Sequence, residues 1–316
     1  MRHRVIVVGA GHWGKNLVRT FKELGALAGV AEADPELRKA LSELYPGTPI
    51  YADYNEAFLR CEGASGAVVA TPAHTHYAVA ERAIRSGFHT FVEKPITLAS
   101  AEAEALVALA RDHGRVLMVG HLLLYQPAIQ ELKRFIDQGK IGRLYSLHQE
   151  RMKLGRVRSV ENVLWSFGVH DLAVILHLVG SKPDGMTVVG QCTVQDGVED
   201  DVHLHLQFSG GVSAHLHTSW VWPETRRRLT VLGDRGMIVY DEEAQTLTFH
   251  NKGIYPNLSA WDEGYELLFQ GSAQPLTLEC QHFLSCMERS ARPLSDGGDG
   301  AEVVRILEEA DKRLKG

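Results

Sequence analysis

An acid, an amine and a proline follow one another directly after a short apolar run. Residues 90–92 are typical of a buried strand, and Glu93, Lys94 and Pro95 come at its carboxyl end. In an open α/β sheet, the carboxyl ends of the strands border the crevice in which ligands bind. Glu93 can hold the amine of Lys94 in place and Pro95 stiffens the turn, so this tripeptide can bring an acid/base group to a bound ligand.

A glycine-rich motif near the start of the chain indicates what that ligand is. The apolar run of residues 5–8 has strand length, and the sequence GAGHWG follows it and opens a helical pattern. Its glycines allow a tight turn, close approach of the backbone to a pyrophosphate and close packing of helix on strand, while the helix N-terminus offers free N–H groups. The predicted cofactor contacts here are Gly9, Gly11, His12, Trp13 and Gly14.

Two acids near the end of the second predicted strand suggest which dinucleotide binds. An acid about 20 residues beyond the glycines accepts hydrogen bonds from the adenosine ribose and repels a 2′-phosphate. Glu32 fits that position, which favours NAD over NADP. Asp34 precedes Pro35 and is predicted to cap the following helix.

The first 120 residues alternate short apolar runs with amphipathic helical patterns. This rhythm predicts a parallel, doubly wound sheet, an N-terminal Rossmann domain. Further residues that are predicted to contact the cofactor follow two of its strands and should face the same crevice. They are Thr71, Pro72, His74 and His76 after the fourth strand and His121 after the sixth.

Composition limits the classes of partner. A chain of 316 residues with 45% hydrophobic residues can bury two cores. Its formal charge of −6 disfavours a nucleic acid or an anionic membrane as partner. The four cysteines show no metal-binding or disulfide spacing, which favours a reducing cytoplasm. The apolar run at residues 5–8 is too short for a signal-peptide core or a membrane span.

The second half of the sequence predicts an α/β domain with a largely antiparallel sheet. Residues 202–208 and 212–216 alternate apolar and polar positions around a Ser-Gly-Gly turn, as in a hairpin. Pairing about Gly210 places His205 opposite His215 and His203 opposite His217. Four histidines on a flat face could bind a metal, but the face offers no closed geometry or obvious second shell, and we predict no metal site.

The motifs GAGHWG, ATPAHTH, VEKP and VGH, in this order, resemble the glucose-fructose oxidoreductase/inositol dehydrogenase (Gfo/Idh/MocA) family of NAD(P)-dependent oxidoreductases. The resemblance covers essentially the whole chain. It implies that Lys94 lies beside the nicotinamide and the reacting carbinol and that the Lys94–Pro95 peptide is cis. It also assigns His170, in the segment LWSFGVHD, as a second acid/base. The family often has an aspartate where this chain has Ser166, and either Lys94 or His170 could take the proton.

The resemblance is strongest to the branch that oxidises the 3-hydroxyl of nucleotide-linked amino sugars, such as UDP-N-acetylglucosamine or its uronate. Asp171 could orient His170 or cap the helix, and paired arginines suit a diphosphate or carboxylate. An inositol or simple sugar dehydrogenase and a non-catalytic NAD(H)-binding regulator are the alternatives. The residues that the resemblance places at the substrate, besides Lys94 and His170, are Tyr125, Gln126, Arg156, Arg158, Asn162, Trp165 and Asp171.

Three segments are predicted. Residues 1–121 form the NAD-binding domain, and residues 122–300 form the substrate and oligomerisation domain. The glycine-rich residues 296–300 are predicted to form a loop. By resemblance, residues 301–316 form a helix that packs back on the Rossmann domain. The resemblance also implies that the open sheet, with its histidine face, pairs subunits into a homodimer or homotetramer.

Overall fold

The computed structural model of the chain describes residues 3–271 and 274–315. These residues group into two units. The first contains the described residues up to Leu122 and the segment Gln274–Arg305. The second contains the described residues from Leu123 to 271 and those from Ile306 onward.

A parallel sheet is the framework of the first unit. Among the described residues it has six strands in the order β3-β2-β1-β4-β5-β6, which is the Rossmann order and confirms the predicted fold. The order reverses between β1 and β4, so the crevice for a ligand opens at their carboxyl ends. The strands are β1 (Val5–Val8), β2 (Leu27–Ala31), β3 (Ile50–Tyr51), β4 (Gly66–Val69), β5 (His89–Glu93) and β6 (Leu117–Gly120). The helices between them are α1 (Gly14–Glu23), α2 (Pro35–Leu44), α3 (Tyr54–Arg60), α4 (His76–Arg85) and α5 (Ser100–Asp112).

The second unit is built on a larger, mostly antiparallel sheet, as predicted. Its eight strands within the described residues have the order β14-β13-β12-β11-β7-β10-β9-β8, and β7 and β10 are the parallel pair. Its strands are β7 (Leu144–Leu154), β8 (Gly185–Gln191), β9 (Asp201–Gln207), β10 (Ser213–Ser219), β11 (Val221–Gly233), β12 (Gly236–Asp241), β13 (Thr246–Ile254) and β14 (Ala260–Gln270). Its helices include α6 (Pro127–Asp137) and α7 (Val169–Val179).

The hairpin of β9 and β10 has the predicted register. His205 pairs with His215 and His203 pairs with His217. Leu204 and Leu216 between them are 1% and 2% exposed, so the apolar side chains of the hairpin face the core and the histidines face the other way. The alternating pattern is the reason that this register could be predicted, because a slip of one residue would exchange the two faces.

The end of the chain corrects one prediction. After α8 (Pro275–Arg289), helix α9 spans Gly297–Lys315, so the loop predicted at residues 296–300 is wrong. A Cβ at Gly297 would lie 2.5 Å from Leu117, and a Cβ at Gly300 would lie 2.6 Å from Val119. These glycines therefore let the first turns of the helix lie against β6.

The unit boundaries differ from the predicted domain boundaries in two places near the end of the chain. The chain returns to the first unit at Gln274, before α8, rather than at residue 301, and residues after Ile306 group with the second unit. Phe283 of α8 contacts Phe91 of β5 with 5.7 Å between ring centroids, which accounts for the position of α8. Among the described residues, no helix combines the length and apolar character needed to cross a membrane.

Candidate functional site

The glycine-rich turn between β1 and α1 has the shape of a phosphate cradle. Gly9 has a φ of +88°, and a Cβ there would lie 2.8 Å from the carbonyl oxygen of Ala70. A Cβ at Gly14 would lie 2.1 Å from the carbonyl oxygen of Gly9. At Gly11 a Cβ would meet no heavy atom within 4 Å beyond its chain neighbours, so the backbone there borders open space. Two glycines close the turn and the third leaves room for a ligand.

Glu32 lies beside this turn. Its Oε2 accepts a hydrogen bond from the backbone N–H of Ala10 at 2.6 Å, and its Oε1 accepts one from Asp34 at 2.9 Å. The carboxylate is therefore fixed next to the glycines, where an adenosine ribose is expected. Asp34 caps α2 by accepting from the N–H groups of Glu36 and Leu37, which confirms its predicted role. The ribose contact of Glu32 stays a prediction.

A hydrogen bond joins the glycine-rich turn to the strand end that carries Lys94. The indole Nε1–H of Trp13 donates to Oε1 of Glu93 at 2.6 Å, and Glu93 is buried. A Cβ at Gly120 would lie 2.9 Å from Oε2 of Glu93, so that glycine makes room for the carboxyl group. The Lys94–Pro95 peptide is cis, as the resemblance implied, and Lys94 is half-buried.

The two histidines that follow β4 differ in burial. His76 is 1% exposed, with Nδ1 2.7 Å from the carbonyl oxygen of Pro95 and Nε2 2.8 Å from that of Thr71. It joins the two loops and does not present a free ring to a ligand. Burial lowers the pKa of His76, so one proton on the ring satisfies one of the two carbonyls at neutral pH. Pro72 and His74 are exposed, as is His12 of the glycine-rich turn.

His121 is buried in the first unit without a hydrogen-bond partner for either ring nitrogen among the described residues. Burial, with the charge of Lys94 as a smaller cause, lowers its pKa to about 3. The ring is therefore neutral at physiological pH. A buried polar side chain that lacks a partner is costly, and a polar ligand at this strand end would supply one. Together with the open space at Gly11, this fits a dinucleotide along the strand ends.

Glu279 of α8 was not predicted as a site residue. It is 0% exposed, and neither carboxyl oxygen has a hydrogen-bond partner in the described part of the chain. Burial raises the pKa of Glu279 well above its usual range, and the neighbouring Glu93 raises it further. The sequence carries a signal for it, because Glu279 precedes the buried Phe283 by four residues and so occupies an apolar face of the helix.

In the second unit, the predicted Asp171 has a partner that the sequence did not indicate. The Nε–H of Arg151 lies 2.9 Å from both carboxyl oxygens of Asp171, and Arg151 also donates to Glu242 at 2.7 Å. Arg151 and Asp171 are both buried. Asp171 therefore belongs to a buried ion cluster with Arg151 and Glu242. His170 is half-buried and is the second residue of α7, which directly follows a π-helical turn at Leu164–Gly168.

Two other predicted substrate residues donate their side-chain hydrogen bonds to acidic side chains of the second unit. The side-chain amide of Asn162 donates to Glu199 and to Asp311, each at 2.9 Å, and the indole N–H of Trp165 donates to Asp311 at 2.8 Å. Their polar groups thus fix the segment before α7. The ring of Trp165 is half-buried and its face could still contact a sugar.

The remaining predicted substrate residues differ in exposure. Tyr125 and Gln126 are buried at the start of α6. Arg156 and Arg158 are exposed after β7, and the Nε of Arg158 lies 3.7 Å from a carboxyl oxygen of Glu161. The first unit thus brings the predicted cofactor residues together, whereas Lys94 and His170 belong to different units. Their pairing stays a prediction.

Two family models match the chain. Residues 3–121 match "Oxidoreductase family, NAD-binding Rossmann fold", and residues 129–239 match "GFO/IDH/MocA C-terminal domain". The two matched segments follow each other along the chain as the N- and C-terminal domains of one family.

Several relatives match over nearly their full length. The chain is 29% identical to UDP-N-acetylglucosamine 3-dehydrogenase of Acidithiobacillus ferrooxidans over 97% of each chain. A crystal structure of that enzyme superposes with a TM-score of 0.87 at 27% identity, covering 100% of this chain and 99% of that one. A putative oxidoreductase from Magnetospirillum magnetotacticum MS-1 is 32% identical, with a TM-score of 0.85 and coverage of 98% and 99%. Inositol 2-dehydrogenase of Rhizobium meliloti is 23% identical over 98% of this chain and 96% of its own.

Proposed function

We base the proposal on family membership: this chain belongs to the Gfo/Idh/MocA family of oxidoreductases, and its N-terminal domain is an NAD-binding Rossmann fold. We propose that it is an NAD-dependent dehydrogenase that oxidises a secondary alcohol of a sugar to a ketone. The preferred substrate is the 3-hydroxyl of a UDP-linked N-acetylamino sugar or its uronate. The full-length similarity to a UDP-N-acetylglucosamine 3-dehydrogenase supports this choice.

The structural observation that best supports the proposal is the hydrogen bond between Trp13 and Glu93. It links the glycine-rich turn to the residue before Lys94, so a dinucleotide bound at the turn extends towards the amine. Gly9, Gly11 and Gly14 would accommodate the pyrophosphate, Glu32 would bind the ribose, and His121 would meet the polar groups of the nicotinamide end. NAD⁺, when bound, accepts the hydride from the carbinol carbon.

Lys94 and His170 are the proposed acid/base groups. As the carbinol C–H bond breaks, the hydroxyl proton passes to Lys94 or His170, and the carbonyl group of the product forms. The overall balance is alcohol plus NAD⁺ to ketone, NADH and one proton. Arg156 and Arg158, which are exposed after β7, would contact a diphosphate or carboxylate of the substrate.

A substrate panel tests the proposal. NADH formation should be measured with UDP-N-acetylglucosamine, its uronate, free N-acetylglucosamine and myo-inositol, each at the same concentration. We expect the nucleotide sugars to give the highest kcat/KM. Turnover of inositol alone would contradict the proposed substrate and would identify the protein as an inositol dehydrogenase. NAD binding without turnover of any substrate would support a non-catalytic NAD(H)-binding regulator.

We also propose that the open face of the large sheet joins subunits into a homodimer or homotetramer. Tyr265 and Leu267 of β14 lie on that face and are 75% and 49% exposed. Exposed apolar side chains next to one another are typical of subunit contacts. Sedimentation of the protein tests this, and a monomer at micromolar concentration would contradict it.

A cytoplasmic location is a further part of the proposal. Cys61, Cys192, Cys280 and Cys286 are all free thiols in the structure. Free cysteines suit a reducing compartment.

A further inference from the structure

The histidines of β9 and β10 form a closely spaced cluster with an aspartate. The rings of His203 and His217 are stacked with 3.8 Å between centroids. Nε2 of His217 lies 3.1 Å and 3.2 Å from the two carboxyl oxygens of Asp201, and Nε2 of His203 lies 3.8 Å from one of them. Both imidazoles therefore direct the same nitrogen towards one carboxylate.

We propose that Asp201, His203 and His217 form a binding site for a divalent transition-metal ion of the zinc class. One ligand atom from each residue lies within 4.8 Å of the others. Two imidazole nitrogens and a carboxylate oxygen are ligands that Zn²⁺, Co²⁺ and Ni²⁺ accept, with water in the remaining positions. This inference replaces the sequence-based expectation that the histidine face holds no metal, because that expectation did not include Asp201 beside the two rings. It does not depend on the proposed dehydrogenase activity.

A simple ion pair explains only part of the cluster. Hydrogen bonding between His217 and Asp201 accounts for two of the three groups, but the 3.8 Å separation leaves His203 beyond hydrogen-bond distance. A metal ion about 2 Å from each donor would use all three. In the single chain the side chain of His203 is 65% exposed, so its ring can turn out of the stack with His217 and direct Nε2 to the same ion.

Packing holds two of the three donors in place. The side chains of Asp201 and His217 are only 17% and 15% exposed, and the ring of Trp222 lies edge-on to His217 at 5.2 Å, so these two donors are partly held in place.

The site lies across the sheet from the segment that carries His170. A Cβ at Gly168 would lie 3.3 Å from Leu216, which places the π-helical turn on the apolar face of β10. His217 is the next residue along β10 and points to the opposite face. A metal here would stabilise the sheet and would not take part in the proposed hydride transfer.

The test is metal binding to the full chain without a polyhistidine tag. Titration calorimetry with Zn²⁺ alone, and visible absorption with Co²⁺ alone, should show one ion per chain. Asp201→Asn, His203→Gln and His217→Gln should each weaken binding by more than about tenfold. Zn²⁺ should also raise the Tm of the wild type and not that of the variants, because only a bound ligand stabilises the native state.

The matched control is His215→Gln, on the same strand and face as His217. It stacks on His148 at 4.5 Å and lies outside the proposed ligand set. We expect it to bind Zn²⁺ as the wild type does. Loss of binding in this variant with retention in His217→Gln would place the ion elsewhere and overturn the proposal, as would no binding or equal binding in all variants. His203→Gln keeps the test valid if another variant fails to fold, since that side chain is mostly exposed.

Discussion

At the scale of single residues, the sequence indicated which residue types could form the site. It gave less information about the side chains that contact them. Lys94 and Glu32 could be selected as candidates because strand ends and glycine motifs fix where such residues lie, and their roles stay predictions. The partner of Asp171 was not recognised, since Arg151 is 20 residues away on another element and only the folded sheet brings the two together. The unpartnered Glu279 was missed because an acid in a helix is normally assumed to face water.

The buried ion cluster of Arg151, Asp171 and Glu242 gives a first prediction. Arg151→Ala removes the cation that hydrogen-bonds the buried carboxyl group of Asp171, which should lower the free energy of unfolding by about 3–5 kcal/mol. Arg226→Ala is the control, because its pair with Glu150 is 45% and 32% exposed and should be worth less than about 1 kcal/mol. Urea unfolding of both variants measures the difference. A loss for Arg151→Ala no larger than that for Arg226→Ala would contradict this prediction.

The raised pKa of Glu93 gives a second prediction. Burial, the largest cause, raises it from 4.5 to about 7, although Trp13 and Lys94 oppose the shift. The native state therefore holds this proton more tightly than the unfolded state. The resulting stability is fully present below pH 4.5 and is lost as the pH rises to about 7.

Glu93→Gln removes this titration. The unfolding free energy of the wild type minus that of the variant should fall by up to about 3 kcal/mol between those two pH values. Equilibrium unfolding at several pH values measures this difference, and the exposed Glu104→Gln on α5 is the control. A pH-independent difference for Glu93→Gln would show that folding does not change the pKa of this carboxyl group.

At the scale of elements, apolar periodicity predicted most strands and helices, and glycines caused the main error. The run at residues 296–300 is typical of a loop, yet its glycines lie in α9 where the helix touches β6. Strands β8 and β14 were not predicted. Burial along β8 and β14 is intermediate or low, so their sequences lack a clear apolar alternation.

Two glycines of α9 provide a matched test. Gly300→Ala should destabilise the protein by about 1–3 kcal/mol, because its Cβ would lie 2.6 Å from Val119 in a packed interface. Gly298→Ala has the same gain in helix propensity, but that position is exposed and its nearest atom is a side-chain oxygen of Asp296 at 3.2 Å. Thermal unfolding should show a lower Tm only for Gly300→Ala. Equal effects would mean that close packing does not explain the glycine.

At the scale of the whole molecule, the fold was predictable and the division into units only partly so. The Rossmann order and the antiparallel sheet follow from strand length, helix periodicity and hairpin turns. The return of the chain to the first unit at Gln274 could not be predicted, because the apolar face of α8 does not reveal which sheet it packs against. For the same reason, a pair such as Lys94 and His170, which lie in different units, rests on family resemblance.

The most direct test of the central claim is NADH formation by Lys94→Ala with the best nucleotide sugar of the panel. We expect turnover to fall by at least about 10²-fold, because the variant lacks an acid/base at the strand end. NAD⁺ affinity, measured by calorimetry, should stay close to that of the wild type and of the exposed control Lys39→Ala. Undiminished turnover in Lys94→Ala would contradict the account.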